Sequence, residues 1–328
     1  MIADGLAGAL REYGHEATVL TTPQNRFGRQ ASAYLATWLT DVGVNHDGCP
    51  VDQVISLRFP SYAIRHPVHV CWLNHRMREY YDQWSRFSGP LGWRACAKER
   101  VRRRLIHVSD RWLLTRNVTR VCAQSRTIQA RLQRWGRIDS QVVYPPPPPR
   151  PYRCEGYEDY VLVISRLTPL KRVGLVIDAL AEADAAGVRC VVIGDGEEAP
   201  ELQRRIEERG LGSRVALLGA VSEAELLDHL SRCRVVCFPP LHEDYGLVTV
   251  EAFASSKAVI TCTDSGGPTE LVRHGETGLV CAPEPRSIAT ALATLMADPG
   301  LAERLGQAGA ERMRTITWER ALQQLLLV

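Results

Sequence analysis

The sequence predicts an α/β protein with two Rossmann-like parallel-sheet domains. Short apolar runs alternate with amphipathic stretches along most of its 328 residues, a length that exceeds one typical core. The apolar runs of the second half, such as YVLVI and VVCF, are continuous, as in strands covered by helices on both faces. Between the halves lies a run of five prolines, stiff and extended, which suits a linker. The domains are therefore expected at 1–150 and 151–328, facing a cleft, with the last helix packing back on the first domain.

Taken in order, IADGLAGALREYG reads as a helix ending at Gly14, and HEATVLTT as a strand. DQVISLRF and HVCWL are strands. RNVTRVCAQSRTIQARLQRWG is a short strand and then an amphipathic helix, and SQVVY is a strand running into the prolines. The second half gives strands in YVLVISRL, VRCVVIGDG, RVALLGAV, RVVCFPP, AVITCTD and GLVCAP. Helices are expected in VGLVIDALAEAD, APELQRRIEERG, SEAELLDHLSRC, GLVTVEAFASS and GPTELVRHG, then in PRSIATALATLMAD and GLAERLGQAGAERM. Ligands in such sheets sit beyond the carboxyl ends of the strands.

Composition sets bounds on function. The apolar fraction of 45% and charged fraction of 23% are those of a globular protein, and no run of eighteen apolar residues exists to span a membrane. The opening MIADGLAGALREYGHE lacks the basic leader and apolar run of a signal peptide, so a cytoplasmic protein is expected. Ten cysteines without a C-x-x-C pair read as reduced, buried thiols. Charge is uneven. Residues 1–150 hold 22 Arg and Lys against 11 Asp and Glu, concentrated in RACAKERVRRR (with Arg100, Arg102, Arg103 and Arg104) and on to Arg137. This is either a solvated helix face or a surface for an anionic membrane; nucleic acid is not expected, since no aromatic-studded basic strand accompanies it.

The chemistry-bearing motifs fall at expected strand ends. In HEDYGLVTVEAF, Glu243 and Glu251 stand eight positions apart across a loop-to-helix junction. The free amides of the first helical turn, around Asp244, Tyr245, Gly246, Leu247 and Val248, form an anion site, and Gly246 permits close approach of a phosphate. A carboxylate on each side can accept from vicinal hydroxyls, which together describe a sugar–diphosphate–ribose ligand. In SRLTPLKRVG, Arg166 and Lys171 can converge on a diphosphate; lysine is otherwise present only at Lys98 and Lys257. Gly194 and Gly196 in VIGDGEE, and Gly266 and Gly267 in DSGGPTE, fit either a ligand approach or a tight turn. No Asp/His cluster has metal-ligand spacing.

Together ISRLTPLKRVGLVIDAL, VVIGDGEE, LLGAVSEAELLDHLSRCRVVCFPPLHEDYGLVTVEAFA and SGGPTELVRHGETGLV resemble the nucleotide-sugar glycosyltransferases of the GT-B fold, specifically the retaining glycosyltransferase family 4. The resemblance covers 158–320; GLAGALREYGHEATVLTT and HVCWLNH resemble the family's acceptor domain more loosely. It implies a metal-independent enzyme without cofactor that moves a hexose from a UDP or GDP sugar to a hydroxyl of a glycan or lipid-linked acceptor. Polysaccharide biosynthesis at the cell envelope, in the cytoplasm or on the inner face of the membrane, would be its setting. By the same resemblance Glu243 contacts the donor sugar, Glu251 the ribose, Arg166 and Lys171 the diphosphate, and His75 lies near the transferred sugar. The family's first strand and glycine-rich loop are expected to be missing, since the chain opens inside what reads as the first helix. A non-catalytic nucleotide-sugar-binding protein and a nucleotide-sugar epimerase remain the alternative readings.

Overall fold

The computed structural model describes residues 2–22 and 29–327. The chain divides into two compact units, Met1–Pro145 with Trp318–Val328, and Pro146–Thr317.

The first unit runs α1 (Ile2–Glu12), α2 (Gln30–Leu39), β1 (Val54–Arg58), β2 (His69–His75), α3 (Trp84–Ser88), α4 (Trp93–Trp112), β3 (Arg120–Ala123), α5 (Arg126–Gly136) and β4 (Gln141–Val142). Its four strands pair in the order β1-β2-β3-β4, all parallel. The central strand β2 buries both faces, as its continuous apolar sequence HVCWL requires. One face carries Trp72, whose Nε1 donates to Val143 O at 2.8 Å and whose ring meets Trp318 edge-on. Leu6 and Ala9 pack there with Ala321, Leu322 and Leu325 of the last helix. The opposite face carries Tyr62, Leu73, Ile106, Leu114, Ile128 and Leu132.

The segment 15–22, read from sequence as a strand, is not one. It pairs with no strand among the described residues, and Val19 and Leu20 are 44% and 55% exposed. Its apolar alternation is real, but a strand requires a neighbour to take its backbone groups. The cysteines also depart from expectation: Cys49 and Cys154 are exposed, while Cys71, Cys122, Cys190, Cys233, Cys237 and Cys262 are buried.

The second unit follows its sequence closely. It runs β5 (Glu158–Ile164), α6 (Val173–Leu180), β6 (Cys190–Ile193), α7 (Ala199–Glu208), β7 (Val215–Gly219), α8 (Glu223–Arg232), β8 (Cys233–Cys237), α9 (Leu247–Ala254), β9 (Ala258–Cys262), α10 (Gly267–Leu271), β10 (Gly278–Cys281), α11 (Pro285–Ala297) and α12 (Pro299–Met313). The chain then returns to the first unit as α13 (Trp318–Leu325). The six strands are parallel in the order β10-β9-β8-β5-β6-β7. After β5 the chain winds outward through β6 and β7, then crosses back to place β8 on the other side of β5. The neighbours β5 and β8 are thus the topological switch point of the sheet, and the carboxyl ends of strands at such a point are where ligands of this fold class bind.

Candidate functional site

The loops after β5 and β8 meet at that switch point. Leu241 N donates to Leu170 O at 2.7 Å, which brings the two loops side by side. Lys171, on the first, places Nζ 2.7 Å from Glu243 Oε2 on the second. Its ammonium also stands 5.4 Å from the centre of the Phe238 ring. Both partners of the pair keep limited access to solvent, with side chains 14% and 20% exposed.

Arg172 fixes this corner. Its backbone is left-handed (φ 53°) at the start of α6. Its guanidinium reaches Pro239 O and Pro240 O at 2.7 and 2.9 Å, and grips both oxygens of Asp264 at 2.8 and 2.6 Å. One side chain therefore ties together the loops after β5, β8 and β9. The loop after β9 adds backbone bonds on either side of Glu243: Glu243 N donates to Ser265 O, and Gly267 N to Glu243 O. Here glycine is obligatory, because a Cβ on Gly266 would stand 2.5 Å from Glu243 O at φ 77°.

The chain leaves this loop through Gly246, left-handed at φ 86°, and enters α9. A Cβ there would meet the Pro268 ring at 2.8 Å and Phe238 at 3.1 Å. The amides of Leu247 and Val248 begin the helix and have no intrahelical acceptor, so this end carries partial positive charge. Tyr245 is buried, while Asp244, Leu247 and Val248 are half-buried.

Arg166 lies on the same strand-end loop as Lys171, exposed and with no ion pair among the described residues. Gly194 and Gly196 sit beneath it. Ser165 N donates to Ile193 O and Leu167 N to Asp195 O, so the two loops run together. A Cβ on Gly194 would fall 1.7 Å from Ser165 O, and one on Gly196 2.3 Å from Leu167 O. What these glycines do in the structure is let the Arg166 loop lie against the loop after β6.

Glu251 is placed differently from its loop companions. Its carboxylate is buried in α9 and accepts from Arg150 Nη1 at 2.6 Å, with the Tyr152 hydroxyl at 3.4 Å. Arg150 also reaches Glu223 at 2.9 Å. Burial raises the Glu251 pKa, against the opposing pull of Arg150. Sequence reasoning missed Arg150 and Tyr152 as its partners. The signal available was the lone arginine directly after the proline run.

His75 belongs to the first unit, at the carboxyl end of β2. It is half-buried and lines a small pocket with Arg76, Arg78, Tyr81, Asp82 and Arg131. Asp82 takes Arg78 at 2.6 Å and Arg131 at 3.4 Å. Among the described residues no group of His, Cys, Asp and Glu has the arrangement to hold a metal ion.

Residues 152–312 match the family model of glycosyl transferases group 1. The human α-1,3/1,6-mannosyltransferase ALG2 is 28% identical over 175 residues, 49% of this chain and 42% of that protein. The α-D-kanosaminyltransferase of Streptomyces kanamyceticus is 32% identical over 46% of this chain and 39% of its own length. The matched region thus spans less than half of either relative. Among solved structures, HepE of Anabaena in complex with UDP and glucose superposes with TM-score 0.65 at 19% identity, over 97% of this chain and 86% of its own. Sucrose-phosphate synthase of Thermosynechococcus elongatus gives TM-score 0.65 at 20% identity, over 83% and 71%. The fold is that of the GT-B proteins, with two parallel-sheet α/β domains, and the second unit is similar to the glycosyl transferases group 1.

Proposed function

We propose that the protein is a retaining GT-B glycosyltransferase of family 4 that moves a hexose from a UDP or GDP sugar to a hydroxyl of a glycan or lipid-linked acceptor. The observation that carries this reading is the Lys171–Glu243 pair, held beside the open amino end of α9 at the switch point. A diphosphate fits the cationic side: Lys171 as a point charge, Arg166 as a fork, and the Leu247 and Val248 amides as donors. Glu243, released from Lys171 as the diphosphate takes its place, accepts from sugar hydroxyls. Glu251, already engaged by Arg150 and Tyr152, reaches a ribose only by sharing that network.

In the reaction the bond from the anomeric carbon to the diphosphate oxygen breaks as the acceptor oxygen bonds to that carbon from the same face. The acceptor proton passes to the departing phosphate oxygen. Charge grows on the leaving group, and Arg166, Lys171 and the α9 amides stabilise it in place. With that charge supplied by side chains and backbone, the reading needs neither divalent metal nor cofactor. His75 is assigned to the acceptor step. Relatives named for mannosyl and kanosaminyl transfer are consistent with a hexose donor, and HepE solved with UDP and glucose with a uridine nucleotide. We place the activity in polysaccharide assembly at the cell envelope.

The test is calorimetry with UDP and GDP, followed by transfer assays on a panel of sugar donors with and without chelator. Tight nucleotide binding and transfer with an α-anomeric product from an α-linked donor are expected. An inverted product removes the retaining mechanism, and activity lost to chelator and regained with manganese removes the metal-independent one. Nucleotide binding without transfer or donor hydrolysis leaves a binding protein; sugar isomerisation without an acceptor leaves an epimerase.

A further inference from the structure

α4 presents an unusual outer face. Its inner side is set by Glu99, Ile106 and Asp110, which are buried. The opposite side carries Trp93, Val101, Leu105, Val108 and Trp112, which are 77%, 64%, 64%, 63% and 50% exposed. The steps along this series are close to whole turns of a helix, so these side chains form one stripe along the helix. Arg94, Lys98, Arg100, Arg104 and Arg111 are exposed beside it. None of these cations has an ion pair among the described residues, and the two acids of α4, Glu99 and Asp110, both face inward. α2 extends the surface: Trp38 packs against Trp112 at 5.4 Å, and Leu35 and Leu39 of the same helix are exposed.

Not all of the basic run belongs to this face. Arg102 pairs with Glu99, and Arg103 donates to Tyr80 O at 2.8 Å and lies over the Trp84 ring. These two hold α4 to the body of the unit, which corrects the expectation that Arg100, Arg102, Arg103 and Arg104 act as one surface.

We propose that the outer face of α4, with the exposed end of α2, is a docking surface for an anionic lipid bilayer. A soluble face needs no row of exposed tryptophan, leucine and valine, and a purely electrostatic one needs no apolar stripe; the combination, with no exposed acid on either helix, is that of a helix lying in a membrane interface. Attachment is peripheral, since no helix of the described residues is long and apolar enough to cross a membrane. The apolar stripe enters the headgroup region, and the arginines bind lipid phosphates and snorkel around it. This holds whether or not the donor reading is right, because it rests on a different unit.

The experiment is cosedimentation of the whole protein with vesicles of phosphatidylcholine, alone or mixed with phosphatidylglycerol, across a salt series. Binding is expected only to the mixed vesicles and should fall steeply as salt rises. Replacing Arg94, Arg100, Arg104 and Arg111 with Gln should weaken it by roughly fivefold per cation removed. The double variant Trp93→Ser, Leu105→Ser should weaken binding that persists at high salt, with melting temperature and nucleotide affinity unchanged, since both side chains lie in solvent. Absence of binding to mixed vesicles at low salt overturns the proposal. So does binding that the double variant leaves intact, which reduces the face to a solvated basic helix. Sedimentation equilibrium showing a wild-type dimer that the double variant dissociates also overturns it, because the stripe then covers a second copy of the chain.

Discussion

Lys171 and Glu243 face each other at 2.7 Å across the two loops that meet at the switch point of the second sheet. Both side chains are largely buried, at 14% and 20% exposed, so the pair is worth more than the about 0–1 kcal/mol of a surface ion pair, less what desolvating the two charges costs. Its position on the loop that Arg172 and Asp264 brace also suits ligand binding. Lys171→Ala should lower the melting temperature, because it leaves the largely buried Glu243 carboxylate without its cation, and should weaken nucleoside diphosphate binding by about 1.5–3 kcal/mol, the size of a charge-assisted hydrogen bond. Glu243→Gln should leave nucleoside diphosphate affinity unchanged or slightly stronger, since it frees the lysine, while weakening binding of the intact sugar donor. Calorimetry on both variants checks this, and equal loss for nucleotide and nucleotide sugar in Glu243→Gln contradicts it.

Gly194 supports the neighbouring Arg166 loop. At φ 134°, with a Cβ position 1.7 Å from Ser165 O, alanine cannot enter without moving backbone. Gly194→Ala should destabilise the second unit by roughly 2–4 kcal/mol and weaken nucleotide binding as the Arg166 loop shifts. Gly212→Ala is the control, because nothing lies within 4 Å of its Cβ position. Chemical denaturation measures both, and comparable stability of the two variants removes the supporting role.

The legible and illegible parts of this protein differ by the range of the interactions that make them. In the second unit each strand and helix announces itself locally, and the Arg166, Lys171 and Glu243 loops could be placed because strand ends fix where they emerge. The Glu251–Arg150 bond joins residues 101 positions apart, and no local pattern predicts it. The segment 15–22 fails in the opposite way: its alternation fits a strand, but pairing is decided by neighbours and not by the segment. On α4 the apolar residues recur at the spacing of a buried stripe, so exposure could only come from the fold. The inner face buries two acids, Glu99 and Asp110, beside Ile106, which departs from the usual reading of an amphipathic helix.

Glu251 makes a prediction about pH. Burial raises its pKa in the folded protein, so on raising the pH the unfolded chain gives up this proton before the folded one does. Its contribution therefore favours folding most at low pH and is lost as pH rises through the ordinary carboxylate range to the raised folded value. Glu251→Gln removes that slope. Urea unfolding at steps from about pH 4 to 7 should show the wild type losing stability relative to Glu251→Gln as pH rises. Arg150→Ala should steepen the wild-type trend, because it takes away the cation that holds the carboxylate ionised, and should cost about 3–5 kcal/mol at neutral pH. A stability difference between wild type and Glu251→Gln that is flat with pH rules out this account.

The first unit is held by a different kind of polar core. Asp110 is fully buried on α4 with no ion pair among the described residues. Three phenols donate to it: Tyr34 and Tyr62 to Oδ1, the latter at 2.5 Å, and Tyr81 to Oδ2 at 2.6 Å. Burial and the adjacent carboxylate raise the pKa of each of these tyrosines well above its ordinary value. They bring α2, the turn after β1 and the turn after β2 onto one point of α4, and His107 stacks on Tyr81 at 4.2 Å beside them. Removing one phenol leaves the carboxylate two donors, whereas removing the carboxylate leaves buried hydroxyls unsatisfied together. Asp110→Ala should thus destabilise the first unit by several kcal/mol, on the order of 1–3 kcal/mol for each orphaned group, and more than any single Tyr→Phe change, at about 1 kcal/mol for Tyr34→Phe. Asp110→Asn is the sharper probe, since its amide keeps one acceptor for Tyr34 and Tyr62 but sets a donor against Tyr81 or the reverse. It should fall between the two, and Tyr81→Phe in the Asp110→Asn background should cost less than in the wild type if the amide faces that phenol. A double-mutant cycle by urea unfolding, following tryptophan emission, reads the coupling; additive losses would mean that the phenols and Asp110 are neighbours without a shared network.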